Sequence, residues 1–204
     1  EYHPAEVLLH DPQGGCWRRF LTPVKCLMAW RQEEVLPRLG EVVALVEKQG
    51  YYAAGFLAYE AAPAMDTVLA VRRDEGFPLL WFGLFRDRAS LANLPSQTTS
   101  GLCLPMWQAE LDAGAHACQV ARIRDYIRAG DIYQANLTYR LSCQAEIQPW
   151  TYFRALLSRY VPPYAAYLDI GPWVIGSLSP ELFLALDGED LLSRPMKGTA
   201  RRGL

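Results

Sequence analysis

The chain has 204 residues, 51% of them hydrophobic, which is enough for one sizeable domain or two small ones and excludes an intrinsically disordered protein. Its 20 basic and 22 acidic residues are interspersed, and the formal net charge of −2 gives no reason to expect nucleic acid or an anionic membrane as a partner. No apolar run approaches the roughly 20 residues that a membrane-spanning helix requires.

The first residues predict a hairpin followed by another strand. Residues 7–9 and 17–21 are rich in apolar side chains and flank a turn at 11–15 that contains proline and two glycines. Residues 24–30 predict a further strand.

A helix and two more strands follow. Apolar residues between 35 and 46 recur at steps of three and four, which predicts an amphipathic helix with Gly50 as its C′ residue. Residues 51–59 predict a strand in which Gly55 marks a close approach of another backbone, and residues 79–85 predict the next strand.

The second half begins after a predicted linker. Residues 94–101 are poor in large apolar side chains and predict a linker. A helix is predicted around residues 120–127, ending near Gly130, and a strand over residues 133–143. Pro149 suits the first turn of a helix that extends to about residue 160.

Short strands are predicted at the end of the chain. After the proline pair at 162–163, apolar runs cover residues 164–170, 173–177 and 182–186. Strands that are neighbours in sequence are joined by short turns and alternate with helices. This order predicts an α+β fold with largely antiparallel sheets rather than a βαβ fold.

The cysteines do not indicate a metal site or a disulfide framework. Their number is odd, their spacing is wide, no C-x-x-C pair occurs, and the three histidines do not cluster near them. A reducing cytoplasm fits this pattern. The cysteines are Cys16, Cys26, Cys103, Cys118 and Cys143.

One lysine near the end of the chain has unusual neighbours. Lys197 lies between Met196 and Gly198, and a ligand can approach the backbone closely at Gly198 because glycine has no Cβ. Lysine becomes a nucleophile when its surroundings lower its pKa. The alternative is a solvated basic turn, since Arg194 and further arginines are close in sequence.

Three motifs in fixed order give this chain a family resemblance. They are Gly-Phe-Leu-Ala-Tyr-Glu-Ala-Ala-Pro at 55–63, Gly-Asp-Ile-Tyr-Gln-Ala-Asn-Leu-Thr at 130–138, and Ser-Pro-Glu at 179–181 with Pro-Met-Lys-Gly-Thr at 195–199. Together they resemble the chorismate-utilising enzymes. Lysine at 197 resembles the aminodeoxychorismate synthase branch of that family, whereas anthranilate synthases usually have alanine there.

The resemblance implies a particular architecture. Two large antiparallel sheets pack face to face with helices outside, and the family's fold needs a longer chain than this one. We therefore expect the N-terminal half of that fold, divided into an N-terminal α+β segment (1–93), a linker (94–101) and the first part of a chorismate-binding catalytic domain (102–204).

The same resemblance assigns two catalytic residues. The Lys197 amine attacks the substrate ring and displaces its hydroxyl, which requires a neutral amine and hence a pKa below the ordinary value of about 10.4. Glu181 is the general acid that protonates the leaving hydroxyl. A hairpin of residues 182–186 with 191–194 would bring Glu181 near Lys197. The alternative for Glu181 is a structural carboxylate that accepts backbone hydrogen bonds.

Three further residues are predicted to bind substrate. Gln134 can orient a substrate or nucleophile by hydrogen bonding but cannot act as a base, which fits ammonia as the nucleophile. Gly198 and Thr199 resemble family positions that contact the ligand through backbone and hydroxyl groups. The alternatives are a solvent-facing glutamine in a strand and an ordinary turn.

An effector site is the least supported implication. Residues 162–164 correspond to part of a tryptophan pocket in some members of the family. In those members a serine follows a Leu-Leu pair upstream, whereas here Leu8 and Leu9 are followed by His10 and Asp11. This departure puts tryptophan binding in doubt.

The resemblance implies that the activity is the amination of chorismate to 4-amino-4-deoxychorismate in folate biosynthesis. It also implies a glutamine amidotransferase partner that supplies ammonia, and Mg²⁺ bound to carboxylates downstream of Leu204. The 204 residues alone are therefore expected to be inactive. The alternatives are an anthranilate synthase component I and a non-catalytic module that docks the amidotransferase or binds an effector.

Overall fold

The structure, a computed structural model, describes residues 5–72, 76–95, 106–196 and 198. The chain divides into two compact units, Glu1–Gln97 together with Phe153–Leu204, and Thr98–Tyr152. The predicted division into 1–93, a linker at 94–101 and 102–204 stays a prediction. No helix among the described residues combines the length and the apolar character needed to cross a membrane.

Short strands make up much of the described chain. They are β1 (Glu6–Asp11), β2 (Cys16–Leu21), β3 (Lys25–Ala29), β4 (Tyr52–Leu57), β5 (Leu80–Phe85), β6 (Ala89–Leu91), β7 (Gln108–Ala109), β8 (Leu141–Ser142), β9 (Tyr164–Asp169), β10 (Val174–Ser179), β11 (Leu182–Asp187) and β12 (Asp190–Arg194).

The helices of the described chain are α1 (Gln32–Gln49), α2 (Ala62–Met65), α3 (Ala113–Ala129) and α4 (Pro149–Leu157). The predicted end of α1 at Gly50 is confirmed: the glycine has a left-handed backbone with φ of 68°, and its N–H donates to the carbonyl of Val46. The start of α1 is capped by Glu34, whose carboxylate accepts from the N–H groups of Trp30 and Arg31.

The larger sheet of the first unit joins the two ends of the chain. Its strand order is β10-β9-β1-β2-β6, and every pairing is antiparallel. The predicted hairpin of β1 and β2 is confirmed, with Val7 opposite Phe20. β9 then pairs with the other side of β1, where Leu8 lies opposite Tyr167.

A second antiparallel sheet has the order β3-β5-β4. The predicted close approach at Gly55 is confirmed, because a Cβ at this position would lie 2.7 Å from the Cα of Phe82 in β5. Glycine is therefore required for β4 to pair with β5 at this register.

The core of the first unit lies between these two sheets. Val7 and Leu168 from the larger sheet pack with Trp81 and Phe85 from the smaller one. On the opposite face of the smaller sheet, Leu80 and Leu84 pack against α1. The predicted α+β fold, with antiparallel sheets packed face to face and a helix outside, is confirmed.

The outer face of the larger sheet is covered by one aromatic residue of α4. The ring of Phe153 lies 5.3 Å from that of Tyr167 and 6.2 Å from that of Trp17. Because strand residues alternate between faces, Tyr167 and Trp17 point away from the core that Val7 and Leu168 occupy. Phe153 itself is almost fully buried.

The second unit contains α3, whose first turn is capped by the Asp112 carboxylate accepting from the N–H of Ala115 at 2.7 Å. The predicted strand at 133–143 is wrong for most of its length, because within the part of the chain that the structure describes only Leu141 and Ser142 of this segment pair with another strand, β7. An extended segment forms a sheet only where a neighbour exchanges backbone hydrogen bonds.

Candidate active site

The hairpin of β11 and β12 carries the candidate catalytic residues. The predicted pairing is confirmed: Leu186 lies opposite Leu191 near the turn and Leu182 opposite Arg194 at the other end, with an irregularity between Leu182 and Ala185. Glu181 precedes this end of β11 and the motif of residues 195–199 follows this end of β12. Glu181 and Pro195 are therefore attached to the same end of the hairpin.

The described chain contains only part of the predicted site. Lys197 and Thr199 lie outside the described residues, and Gly198 is described as an exposed residue without regular secondary structure. The roles of these three residues, and that of Glu181, stay predictions.

Glu181 stands where the chain passes from β10 into β11. Its backbone N–H donates to Ser179 Oγ at 3.2 Å, and Ser179 Oγ donates to the carbonyl oxygen of Glu181 at 3.1 Å. The side chain is exposed, and no group among the described residues donates a hydrogen bond to its carboxylate. The carboxylate is therefore available to a ligand, as a general acid must be.

A cavity of about 630 Å³ borders this end of the hairpin. Its hairpin wall is formed by Pro180, Leu182, Ala185, Leu192, Arg194 and Met196. Most of the lining is apolar, and Arg194 forms no ion pair with any carboxylate of the described chain. A mainly apolar cavity of this size, with the unpaired guanidinium of Arg194, can receive a small molecule that has an anionic group on an apolar ring or chain.

The opposite wall joins the β1–β2 turn to the start of β9. His10 Nδ1 lies 3.0 Å from the carbonyl oxygen of Pro163, and the His10 ring is 5.1 Å from that of Trp17. Pro163 and Tyr164 complete this wall. His10 thus contacts residues 162–164, the segment that corresponds by resemblance to part of an effector pocket.

Asp11, beside His10, has a structural role. Its carboxylate accepts from the backbone N–H of Gly14 and from the Arg18 guanidinium, and these bonds, with that from Gln13, hold its pKa below the ordinary value. The charge of Asp11 is therefore balanced within the turn and is not free to bind a ligand.

Gln134 belongs to the second compact unit, in the segment that follows α3. It is exposed and lies outside any strand, so the interpretation as a strand residue is wrong. Its role in substrate binding stays a prediction.

The described residues do not form a metal centre. No group of three or more histidine, cysteine, aspartate or glutamate side chains comes together in residues 5–72, 76–95 and 106–196.

Sequence reasoning missed the contacts of Ser179 and the cavity. A serine two residues before a glutamate, with proline between, is a recognisable signal for a side-chain-to-backbone turn. The cavity has no such signal, because His10 and Pro163 are 153 residues apart in the chain.

Comparison with known proteins adds independent information. Residues 5–204 match the family model described as chorismate binding enzyme. Anthranilate synthase component 1 of Thermus thermophilus is 37% identical over 72% of this chain, and aminodeoxychorismate synthase component 1 of Bacillus subtilis is 29% identical over 74%. The matching segments cover 30% and 40% of those two relatives, so the chain spans well under half their length. Aminodeoxychorismate synthase component 1 of Escherichia coli is 31% identical over 47% of this chain and 21% of its own.

Proposed function

Because the chain belongs to the chorismate binding enzyme family, we propose that it is part of an enzyme that aminates chorismate to 4-amino-4-deoxychorismate. In this proposal the ammonia comes from a glutamine amidotransferase partner in the cytoplasm, the product is used to make p-aminobenzoate and folate, and Mg²⁺ is the implied cofactor. Relatives in Bacillus subtilis and Escherichia coli are named aminodeoxychorismate synthase component 1.

The register of the β11–β12 hairpin supports this proposal most directly. Leu182 lies opposite Arg194, so Glu181 and the segment that leads to Lys197 leave the hairpin at the same end. A nucleophile and an acid for one leaving group must act on the same ring, and this register allows it.

The proposed reaction proceeds in two displacements. The neutral Lys197 amine forms a C–N bond at the ring carbon beside the carboxylate-bearing carbon, the ring double bonds shift, and the C–O bond to the hydroxyl breaks. Glu181 gives its proton to that hydroxyl, which leaves as water. Ammonia then bonds to the carbon that lost the hydroxyl, the double bonds shift back, and the lysine is expelled. The proton that the lysine nitrogen loses after attack returns to it when it leaves, and the proton that ammonia loses on forming its C–N bond restores the acid form of Glu181, so the enzyme is unchanged.

A product assay on the full-length protein tests the proposal. With chorismate and ammonia we expect 4-amino-4-deoxychorismate, which a separate lyase converts to p-aminobenzoate. A reaction without the protein and one without ammonia are the controls. Anthranilate fluorescence in the absence of any added lyase would contradict the proposal.

A second candidate is an anthranilate synthase component I. It is favoured by the Thermus thermophilus relative, which has the higher identity of the two long matches. Lys197 argues against it, because anthranilate synthases usually have alanine at this position. The product assay separates the two candidates, since anthranilate is released without a second enzyme.

A further inference from the structure

The orientation of Glu181 depends on its backbone. Its carboxylate is exposed and receives no hydrogen bond from any described residue. No side-chain contact in the described chain therefore fixes the direction in which the proposed acid points. Whatever holds the Cα of Glu181 sets the position of the carboxylate.

Ser179 holds that backbone on both sides of the Cα. Its hydroxyl accepts from the Glu181 N–H at 3.2 Å and donates to the Glu181 carbonyl at 3.1 Å. The residue between them, Pro180, has a φ fixed near −65° and restricts Ser179 to extended backbone. One hydroxyl thus satisfies both main-chain polar groups of Glu181.

Ser179 is itself attached to the larger sheet. It is the last residue of β10 and lies opposite Tyr164 in β9. Beyond it, β11 and β12 pair only with each other in the described part of the chain. Ser179 therefore lies where the larger sheet ends and the segment leading to the exposed β11–β12 hairpin begins.

From these contacts we propose that Ser179 is a positioning residue, whose hydroxyl transmits the position of the larger sheet to the carboxylate of Glu181. This inference rests on the proposed function, since it concerns the same acid. Ser179 does not contact the reacting atoms in this scheme; it acts through Glu181.

The first test is the Ser179→Ala variant of the full-length protein with chorismate and ammonia. Because a small misplacement of a catalytic group is costly, we expect kcat to fall between about tenfold and about a hundredfold while KM for chorismate stays within about twofold. Ser179→Thr keeps the hydroxyl and suits a strand, so it should restore most of kcat.

Two serines provide matched controls. Ser177 lies in the same strand and on the same face as Ser179, and its hydroxyl makes no hydrogen bond within the described residues. Ser193 Oγ donates to the Phe183 carbonyl at 2.7 Å and so binds across the hairpin. Ser177→Ala and Ser193→Ala should each leave kcat within about twofold, as expected for a hydroxyl remote from the acid.

A double-mutant cycle identifies the residue through which Ser179 acts. Glu181→Gln should reduce kcat severely, and adding Ser179→Ala to it should cause no further loss, because the group being positioned is already gone. A further loss in the double variant, no restoration by threonine, or an equal loss in Ser177→Ala would overturn the positioning role. If Glu181→Gln keeps full kcat, the acid assignment in the proposed function fails as well. Loss in Glu181→Gln together with an unaffected Ser179→Ala overturns the positioning role alone.

Discussion

Two hairpins of this chain are each built from two short strands joined by a turn, but their surroundings differ. In β1–β2, Val7, Leu8, Trp17 and Phe20 are buried, because β9 and β6 extend the sheet on either side, the smaller sheet covers one face and Phe153 packs on the other. In β11–β12, Phe183, Leu184, Leu186 and Leu191 are exposed. Apolar strands joined by a turn pair in both places, but the burial of their side chains depends on the elements that pack beside them.

The two hairpins differ in what they contribute: β1–β2 stabilises the fold, and β11–β12 carries the residues of the proposed chemistry. Burial of apolar area is the dominant favourable term in folding, so the β1–β2 region stabilises the first compact unit. The β11–β12 hairpin contributes little burial in the described chain and carries the segment of Glu181 and Lys197. We therefore expect substitutions in β1–β2 to lower the free energy of unfolding, and substitutions at the end of β11–β12 to lower the proposed activity.

The largest effect is expected for Lys197→Ala in the full-length protein. Loss of the covalent route should reduce chorismate amination at least a hundredfold, since each 1.36 kcal/mol of barrier is about tenfold in rate. The free energy of unfolding should change by less than about 0.5 kcal/mol. Steady-state kinetics and urea denaturation measure the two quantities.

Two additional measurements sharpen this prediction. Lys197→Arg should fail almost as badly, because a guanidinium stays protonated and cannot attack. Mass spectrometry should detect a substrate adduct on a peptide that contains Lys197. A loss of less than about tenfold would mean that the lysine only orients the substrate, and rescue by added ammonia would place it in ammonia delivery.

The next effect compares one buried and one exposed phenylalanine in the 204-residue chain. Phe85 is 0% exposed and its ring lies 5.4 Å from that of Phe20, so Phe85→Ala should lower the free energy of unfolding by about 3–5 kcal/mol. Phe183 is 84% exposed, and Phe183→Ala should cost less than about 0.5 kcal/mol. Urea denaturation with both variants in parallel provides the measurement. Equal losses would mean that the second hairpin is covered and would remove the contrast.

The smallest effect concerns a carboxylate in each hairpin. The pKa of Asp11 is lowered by the Gly14 N–H and Arg18, so its stabilisation is complete above the ordinary pKa of about 3.9 and is lost as the pH falls through the lower folded value. At pH 7, Asp11→Asn should cost about 1 kcal/mol and should flatten the loss of stability in acid.

Asp190 at the turn of β11–β12 is the matched control. It forms no ion pair with any residue that the structure describes. Asp190→Asn should therefore leave both the stability at pH 7 and its decline in acid unchanged. Urea midpoints measured between pH 7 and pH 2.5 test both variants, and an unchanged acid decline in Asp11→Asn would contradict the assignment.

Local patterns were sufficient to predict most elements of the fold. The three- and four-residue spacing gave α1 with its end at Gly50, and Gly55 indicated where β4 meets β5. The segment 133–143 shows where such patterns fail, since apolar and β-branched residues favour extension but pairing is decided by a distant neighbour.

In the candidate site, too, local patterns predict some features, and others depend on residues far apart in the chain. The motif around Glu181 is legible in the sequence, and the hairpin that directs it towards residue 195 was predicted from two apolar runs. The dual hydrogen bonding of Ser179 depends on backbone angles, and the cavity depends on the approach of His10 to Pro163. Neither can be obtained from spacing along the chain.

The pairing of β1 with β9 also has a consequence for biosynthesis. Strand β1 leaves the ribosome before one of its sheet neighbours, β9, which begins only at Tyr164. At roughly 5–20 residues per second, translation separates the two strands by on the order of ten seconds. During that interval one edge of β1 lacks its partner strand, and an unpaired strand edge is open to pairing with other chains.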